Sequence, residues 1–210
     1  MNKPIDIHLL FPKVVARATI SLSTEEESKL NVAYDNTEFV PTRQMDKDSG
    51  HDVIEMSYGL DVLNNLPWLA DKINNTVDSF KVNMMRWEKT KFRLSTSWFT
   101  KTKPGQYSNM HKHANNIYTG VYYWGNEEPC EITLEDYDPG HHWEIAPEEY
   151  NPLNRSDWSF KMGNHELLIF PSEVHHKIQP WHGKGIRKSL AINWSPYGEV
   201  GFGDSKVFIK

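Results

Sequence analysis

One cysteine, Cys130, is the whole thiol complement of the 210 residues. An intrachain disulfide is therefore impossible, which excludes a disulfide-built secreted scaffold, and a Cys-rich zinc module is excluded with it. Long apolar runs are missing too: nowhere do the ~18 consecutive apolar residues of a membrane-spanning helix occur. The apolar stretch over residues 5–11 is interrupted by Asp6 and His8 and ended by Pro12, too short and too polar for a signal peptide. Basic runs are absent. Lys and Arg number 23 against 28 Asp and Glu, for a net charge of −5, so no polyanion-binding face is advertised and no nucleic-acid partner is expected. Internal repeats and low-complexity tracts are lacking as well, and the 12 Gly and 12 Pro are spread as turn punctuation. These absences lead us to expect one domain over residues 1–210 in a reducing, cytoplasmic compartment. The Asn-x-Ser/Thr triplets at Asn74, Asn154 and Asn193 would then carry no glycan.

What the chain does have is ten histidines and eight tryptophans, set in a pattern that changes period along its length. Over about residues 22–84 the expectation is helical. Thr24 reads as an N-cap followed by Glu25, Glu26 and Glu27, acids that the positive end of a helix dipole favours. Pro67 opens a second helix with Leu66, Leu69, Ala70, Ile73, Val77 and Phe80 at spacings of three, four and seven. From about residue 90 to 196 the period falls to two, and seven β-branched and aromatic runs alternate with Gly, Pro, Asn and Asp clusters. They predict strands over 92–100, 116–124, 131–137, 157–162, 166–170, 174–179 and 187–194. Seven strands in roughly 105 residues is the density of a sandwich or barrel. Residues 125–155 hold the longest poorly patterned stretch, a lid or a plain surface insertion.

His111-Lys112-His113 follows the turn Lys103-Pro104-Gly105. On extended backbone its two imidazoles point the same way, ~6.6 Å apart at the backbone, within reach of one metal ion. A third ligand has to come from another strand. In Val174-His175-His176-Lys177-Ile178, parity turns His176 inward with Val174 and Ile178 and leaves His175 on the polar face. In the last strand Leu190, Ile192 and Trp194 form a core face, opposite Arg187, Ser189, Ala191 and Asn193. An arginine on an interior-facing wall of small residues calls for an anion, because a buried charge needs a partner. Its planar fork suits a carboxylate, with the Ser189 hydroxyl as a second donor. An acidic side chain of the protein itself is the alternative partner.

In order, Gly105-x5-His111-x-His113, Thr119-Gly120-Val121-Tyr122-Tyr123, Phe170-Pro171-Ser172, His176 and Arg187-x-Ser189 resemble the motif set of the Fe(II)/2-oxoglutarate-dependent oxygenases. The likeness is closest to the 2OG-Fe(II) oxygenase family found among marine bacteria and their tailed phages, and Leu10-Phe11-Pro12 is similar to that family's opening. The resemblance implies a mainly β fold with buttressing α-helices, the double-stranded β-helix or cupin-like jelly roll. It implies Fe(II), 2-oxoglutarate as cosubstrate and O2, with His111, His113 and His176 holding the metal. Arg187 and Ser189 would bind the cosubstrate's distal carboxylate, with Tyr107 and Asn193 also lining its site. Oxidative decarboxylation to succinate and CO2 would then drive hydroxylation of a small-molecule or peptidyl substrate. A phage origin would place the protein in the host cytoplasm, and a homo-oligomer is compatible with the reading.

One departure matters: most such enzymes have a carboxylate where His113 stands. Either three imidazoles hold the metal, or a carboxylate from elsewhere completes the site beside His113. Trp98, Tyr118 and Tyr122 are further candidate lining groups. His141-His142-Trp143 is a candidate substrate contact, while His8, His51, His165 and His182 have no motif context. Two rival readings remain. A cupin-type metalloenzyme matches Gly105-x5-His111-x-His113 but lacks the expected glutamate, since Asn116, Ile117 and Tyr118 fill that stretch, and it ignores 2-oxoglutarate. A non-catalytic jelly-roll binding module leaves the histidines and Arg187 without a purpose.

Overall fold

The computed structural model describes residues 12–42, 53–136 and 147–210. Its elements run β1 (Ala16–Thr19), α1 (Thr24–Asp35), β2 (Phe39–Pro41), β3 (Glu55–Ser57), a 3-10 turn (Val62–Asn65) and α2 (Pro67–Ser79), which widens into a π-helical turn (Phe80–Met84). Then come β4 (Lys91–Thr102), β5 (Tyr118–Tyr123), β6 (Cys130–Glu135), β7 (Asp157–Met162), β8 (Glu166–Pro171), β9 (His175–Ile178), β10 (Arg187–Val200) and β11 (Val207–Ile209). All seven expected strands are present, with ends moved by a few residues. No helix among the described residues is long and apolar enough to cross a membrane.

The N-terminal part differs from the expectation of an all-helical region over about residues 22–84. β2 and β3 form an antiparallel pair inside it, and β3 extends the main sheet by pairing Glu55 with Lys101 and Met56 with Thr100. Three-residue strands are too short to show a period of two. The N-cap of α1 is Ser23, one residue before the expected Thr24. Ser23 Oγ accepts the Glu26 N–H at 3.2 Å while Glu26 Oε2 accepts the Ser23 N–H at 2.8 Å. This reciprocal capping box needs an acid three residues on, and counting from Ser23 supplies Glu26. α2 starts with Pro67 in its first turn and buries Leu69, Ile73 and Val77 on one face, as the spacing predicts.

Two antiparallel sheets face each other. The large one has the order β1-β8-β5-β10-β4-β3-β2, with β11 added to the far end of β10, and the small one has the order β7-β6-β9. Between them lies one apolar cluster, with Val121, Tyr123, Leu168 and Phe170 from the large sheet and Cys130, Ile132, Leu134 and Ile178 from the small one. The helices cover the outer face of the large sheet, where Leu30, Tyr34, Leu69, Ile73 and Val77 meet Phe99, Tyr122, Leu190, Ile192 and Trp194. This is a jelly roll buttressed on one side, the double-stranded β-helix.

Central β5 and β10 are therefore buried on both faces, and Gly120 on β5 shows how closely the helix-side core is filled. A Cβ there would lie 2.8 Å from two ring carbons of Trp194 and 3.2 Å from Leu167 Cδ1. Gly120→Ala is expected to cost about 1–3 kcal/mol by overpacking, read as a lower midpoint in chemical denaturation. An unchanged midpoint would show that the Trp194 ring moves aside freely.

Candidate metal centre

The local backbone explains why these histidines meet. Lys103-Pro104-Gly105-Gln106 is a tight turn in which the Gln106 N–H donates to the Lys103 carbonyl at 3.0 Å, with Gly105 at φ +85°. That positive φ at the third position marks a type II turn, to which glycine is suited. The turn sends the chain back alongside β9, where Trp181 N–H bonds the Gln106 carbonyl and Ser108 N–H bonds the Ile178 carbonyl. His111 and His176 then exchange both backbone hydrogen bonds, at 3.0 and 2.8 Å. Residues directly opposite in an antiparallel pair project from the same face, so these two side chains emerge together. His113 is fixed by the Phe170-Pro171-Ser172 motif: its N–H donates to the Ser172 carbonyl at 3.0 Å, and Ser172 N–H donates in turn to Ile117.

One ligand nitrogen from each of His111, His113 and His176 lies within 4.8 Å of the other two. The ring centroids are 4.2 to 5.3 Å apart. In each ring Nδ1 has an oxygen partner: the Asn109 carbonyl at 2.8 Å for His111, Asn193 Oδ1 at 2.7 Å for His113, and the Val174 carbonyl at 3.1 Å for His176. Those acceptors assign the proton to Nδ1 and leave each Nε2 lone pair free for a metal, the arrangement in which an outer partner orients a ligating imidazole. Trp98 stacks on His113 with ring centroids 5.4 Å apart, and Phe170 meets His176 edge-on at 4.8 Å. Burial keeps all three rings in the neutral, ligating form. It pushes His113 down to about 4 and His176 well below its ordinary value, and it lowers His111 as well.

Strand register shows what shares the face. Along β10 the inward row is Arg187, Ser189, Ala191 and Asn193. Opposite them on β4 stand Thr102, Thr100, Trp98 and Thr96, and on β5 Tyr123, Val121 and Thr119 face the last three. Arg187 is 1% exposed, yet among the described residues it makes no ion pair. Its Nη2 donates to Ser189 Oγ at 3.4 Å, its guanidinium lies over the Tyr123 ring at 5.5 Å, and its Nε has no partner. The hydroxyls of Tyr123 and Thr102 are also buried and unbonded. These three atoms are all such side-chain orphans among the described residues: one is the arginine's own, and the other two belong to the residue paired with it on β4 and to the tyrosine whose ring its guanidinium covers. Buried polar groups left unpaired are costly, and a carboxylate would satisfy this set.

Parity corrects two of the aromatic residues expected to line the site. Tyr118 and Tyr122 face the helices, where Tyr122 Oη donates to the Ile20 carbonyl at 2.9 Å. Tyr123 is the tyrosine of β5 on the site face. Asn193 lies on that face too, but its side-chain bonds go to His113, Thr119 and Thr96. Tyr107 pairs through its backbone with Val53 and Ile54. His176 is 3% exposed and His175 only half-buried, as parity predicts. His165 sits elsewhere, beside Tyr122 Oη. His8, Leu10, Phe11, His51 and the His141-His142-Trp143 triplet lie outside the described residues, as does part of the 125–155 stretch. Cys130 is fully buried, and burial pushes its thiol up to about 11, so it offers no nucleophile.

Residues 96–193 match the model of a family described as "Putative 2OG-Fe(II) oxygenase". Comparison with curated proteins finds no match. Among solved structures, a 2OG-Fe(II) oxygenase family oxidoreductase from Burkholderia pseudomallei superposes with a TM-score of 0.62 at 12% identity, covering 86% of this chain and 84% of that one. A Pseudomonas putida prolyl-4-hydroxylase gives 0.54 at 12% identity over 87% and 93%. The non-heme α-ketoglutarate-dependent epimerase SnoN of nogalamycin biosynthesis gives 0.56 at 12% identity over 87% and 78%. The double-stranded β-helix and the resemblance to 2OG-Fe(II) oxygenases are thus both borne out.

Proposed function

We propose that this chain is an Fe(II)- and 2-oxoglutarate-dependent dioxygenase that hydroxylates a small-molecule or peptidyl substrate with release of succinate and CO2. The observation that carries the proposal is Arg187: a buried guanidinium with no carboxylate partner among the described residues, on the inter-sheet face of β10, where Asn193 of the same row bonds one of three histidines whose Nε2 atoms are free. In this reading His111, His113 and His176 would hold the iron, and Arg187 and Ser189 would receive the distal carboxylate of the cosubstrate. Thr102 and Tyr123, whose hydroxyls are buried and unbonded, would be available to donate to it. When bound, iron and 2-oxoglutarate together supply the oxidising power for attack on an unactivated C–H bond. The protein's part is to set ligand geometry and to exclude water through the packed wall of Trp98, Val121 and Phe170. Three neutral imidazoles leave the metal's full +2 charge uncompensated, one unit more positive than with a carboxylate ligand. That favours a dianionic cosubstrate.

The similar structures include both a hydroxylase and an epimerase, so hydroxylation is the reading to be tested by its products. Succinate is expected to form from 2-oxoglutarate only when Fe(II) and O2 are both present. If 2-oxoglutarate stays intact under those conditions, a cupin-type metalloenzyme or a non-catalytic module is the better account.

A further inference from the structure

We infer that Asn193 is a positioning residue for the metal centre, fixing the third imidazole through a hydrogen-bond chain whose direction is set by metal ligation at His113 Nε2. The inference rests on the reading of the three histidines as metal ligands. It concerns what makes a histidine serviceable at the His113 position.

Asn193 Oδ1 sits 2.7 Å from His113 Nδ1 and 2.8 Å from Thr119 Oγ1, while Asn193 Nδ2 sits 2.9 Å from Thr96 Oγ1. An amide oxygen accepts and cannot donate. The Thr119 hydroxyl proton therefore goes to Asn193, and the remaining proton of the 2.9 Å contact between Thr119 and Ser172 has to come from Ser172. His113 must likewise place its proton on Nδ1. The chain reads Ser172 to Thr119 to Asn193 from one side, and His113 to Asn193 from the other. A metal on His113 Nε2 puts the ring proton on Nδ1, and that proton requires the amide oxygen, not the amide nitrogen, on the His113 side, with Nδ2 left to donate to Thr96. Asn193, Thr119 and Ser172 are all buried, at 5%, 0% and 0% exposure, so water cannot substitute for a missing member.

The Asn193 backbone is held as well. The pairing of β10 with β4 slips by one residue between Asn193 and Trp194, leaving Ser95 as the extra residue, and Ser95 Oγ donates to the Asn193 carbonyl at 3.0 Å. A bulge of this kind kinks the strand and re-aims a side chain. Here the extra residue lies on β4, while β10 stays regular against β5 and its alternation keeps the Trp194 ring on the helix side and the Asn193 amide towards His113. The two sister histidines use backbone carbonyls as their outer partners. Only His113, at the position where related enzymes carry a carboxylate, depends on a side chain.

The experiment is a Co(II) titration, followed by its visible ligand-field spectrum, of the wild type, Asn193→Leu, Asn193→Asp, His113→Ala and the His113→Ala/Asn193→Leu double variant. Asn193→Leu is expected to bind Co(II) roughly 10- to 100-fold more weakly with an altered spectrum. Asn193→Asp keeps the acceptor, and is expected to bind at least as tightly as the wild type. In the His113→Ala background, Asn193→Leu is expected to cause no further loss, since its effect passes through His113. An equal affinity and spectrum for wild type and Asn193→Leu would overturn the inference, as would an additive loss in the double variant. If Asn193→Leu fails to fold, the comparison with Asn193→Asp decides, and weaker binding by Asn193→Asp overturns the inference. A wild type that binds no Co(II) would instead refute the three-histidine reading on which it rests.

Discussion

His113→Ala is expected to lose Fe(II), and His113→Asp to retain it. The alanine variant removes one of three ligand nitrogens that lie within 4.8 Å of one another. Its cost in affinity should exceed the roughly 10- to 100-fold that accompanies loss of an outer hydrogen-bond partner alone. Aspartate restores an oxygen ligand and lowers the site's charge by one unit, so iron stays while the extra attraction for a dianionic cosubstrate falls. The measurement is iron content after anaerobic loading and desalting, beside a thermal melt of each apoprotein. The melt separates lost coordination from lost folding, because the alanine variant also removes one of the two hydrogen bonds to Asn193 Oδ1, a cost of about 0.5–1.5 kcal/mol. Equal iron in wild type and His113→Ala would remove His113 from the coordination shell and revive a carboxylate from elsewhere.

Arg187→Met is expected to weaken 2-oxoglutarate binding by about 2–5 kcal/mol, roughly 30- to 5,000-fold in Kd. At the same time it should leave the apoprotein as stable as the wild type, or more so. The second half follows from burial: Arg187 is 1% exposed with an unbonded Nε and no ion-pair partner among the described residues. Without cosubstrate such a charge is a burden on the fold, and an apolar side chain of similar length relieves it. Calorimetry on metal-loaded protein gives the affinity, and thermal melting with and without 2-oxoglutarate gives the linkage, since a ligand that binds only the folded state raises Tm. The wild type should gain Tm with 2-oxoglutarate and the variant should not. Arg187→Lys is expected to fall well short of the wild type, because an ammonium cannot reproduce the two-pronged guanidinium contact. A wild-type Tm indifferent to 2-oxoglutarate, or a variant that binds it equally well, would mean the arginine serves another partner.

Much of this was legible in the sequence, for identifiable reasons. β9 and β10 alternate cleanly between polar and apolar residues, so parity alone separates His176 from His175 and sets Arg187 and Ser189 opposite Leu190 and Ile192. β5 defeats the same logic. It is buried on both faces, so Thr119-Gly120-Val121-Tyr122-Tyr123 shows no alternation, and the sequence alone does not tell that Tyr118 and Tyr122 face the helices while Tyr123 faces the site. β2 and β3 pair only three residues each and leave no periodic signal. The threonines of β4 look like ordinary strand residues until register places Thr96 against Asn193 and Thr100 against Ser189, its hydroxyl 2.5 Å from the serine's. The role of Asn193 was invisible for a related reason: its partners lie 74, 80 and 97 residues away in the chain.

The central claim is that iron on three imidazoles and 2-oxoglutarate on Arg187 share one site. Its most direct test is the visible spectrum of the anaerobic Fe(II)-loaded protein as 2-oxoglutarate is added. A metal-to-ligand charge-transfer band should grow in the wild type and saturate at one cosubstrate per protein. It should be absent from His176→Ala, and it should require far more 2-oxoglutarate in Arg187→Met. No band from iron-loaded wild type, or an equal band at equal concentration in Arg187→Met, would contradict the account.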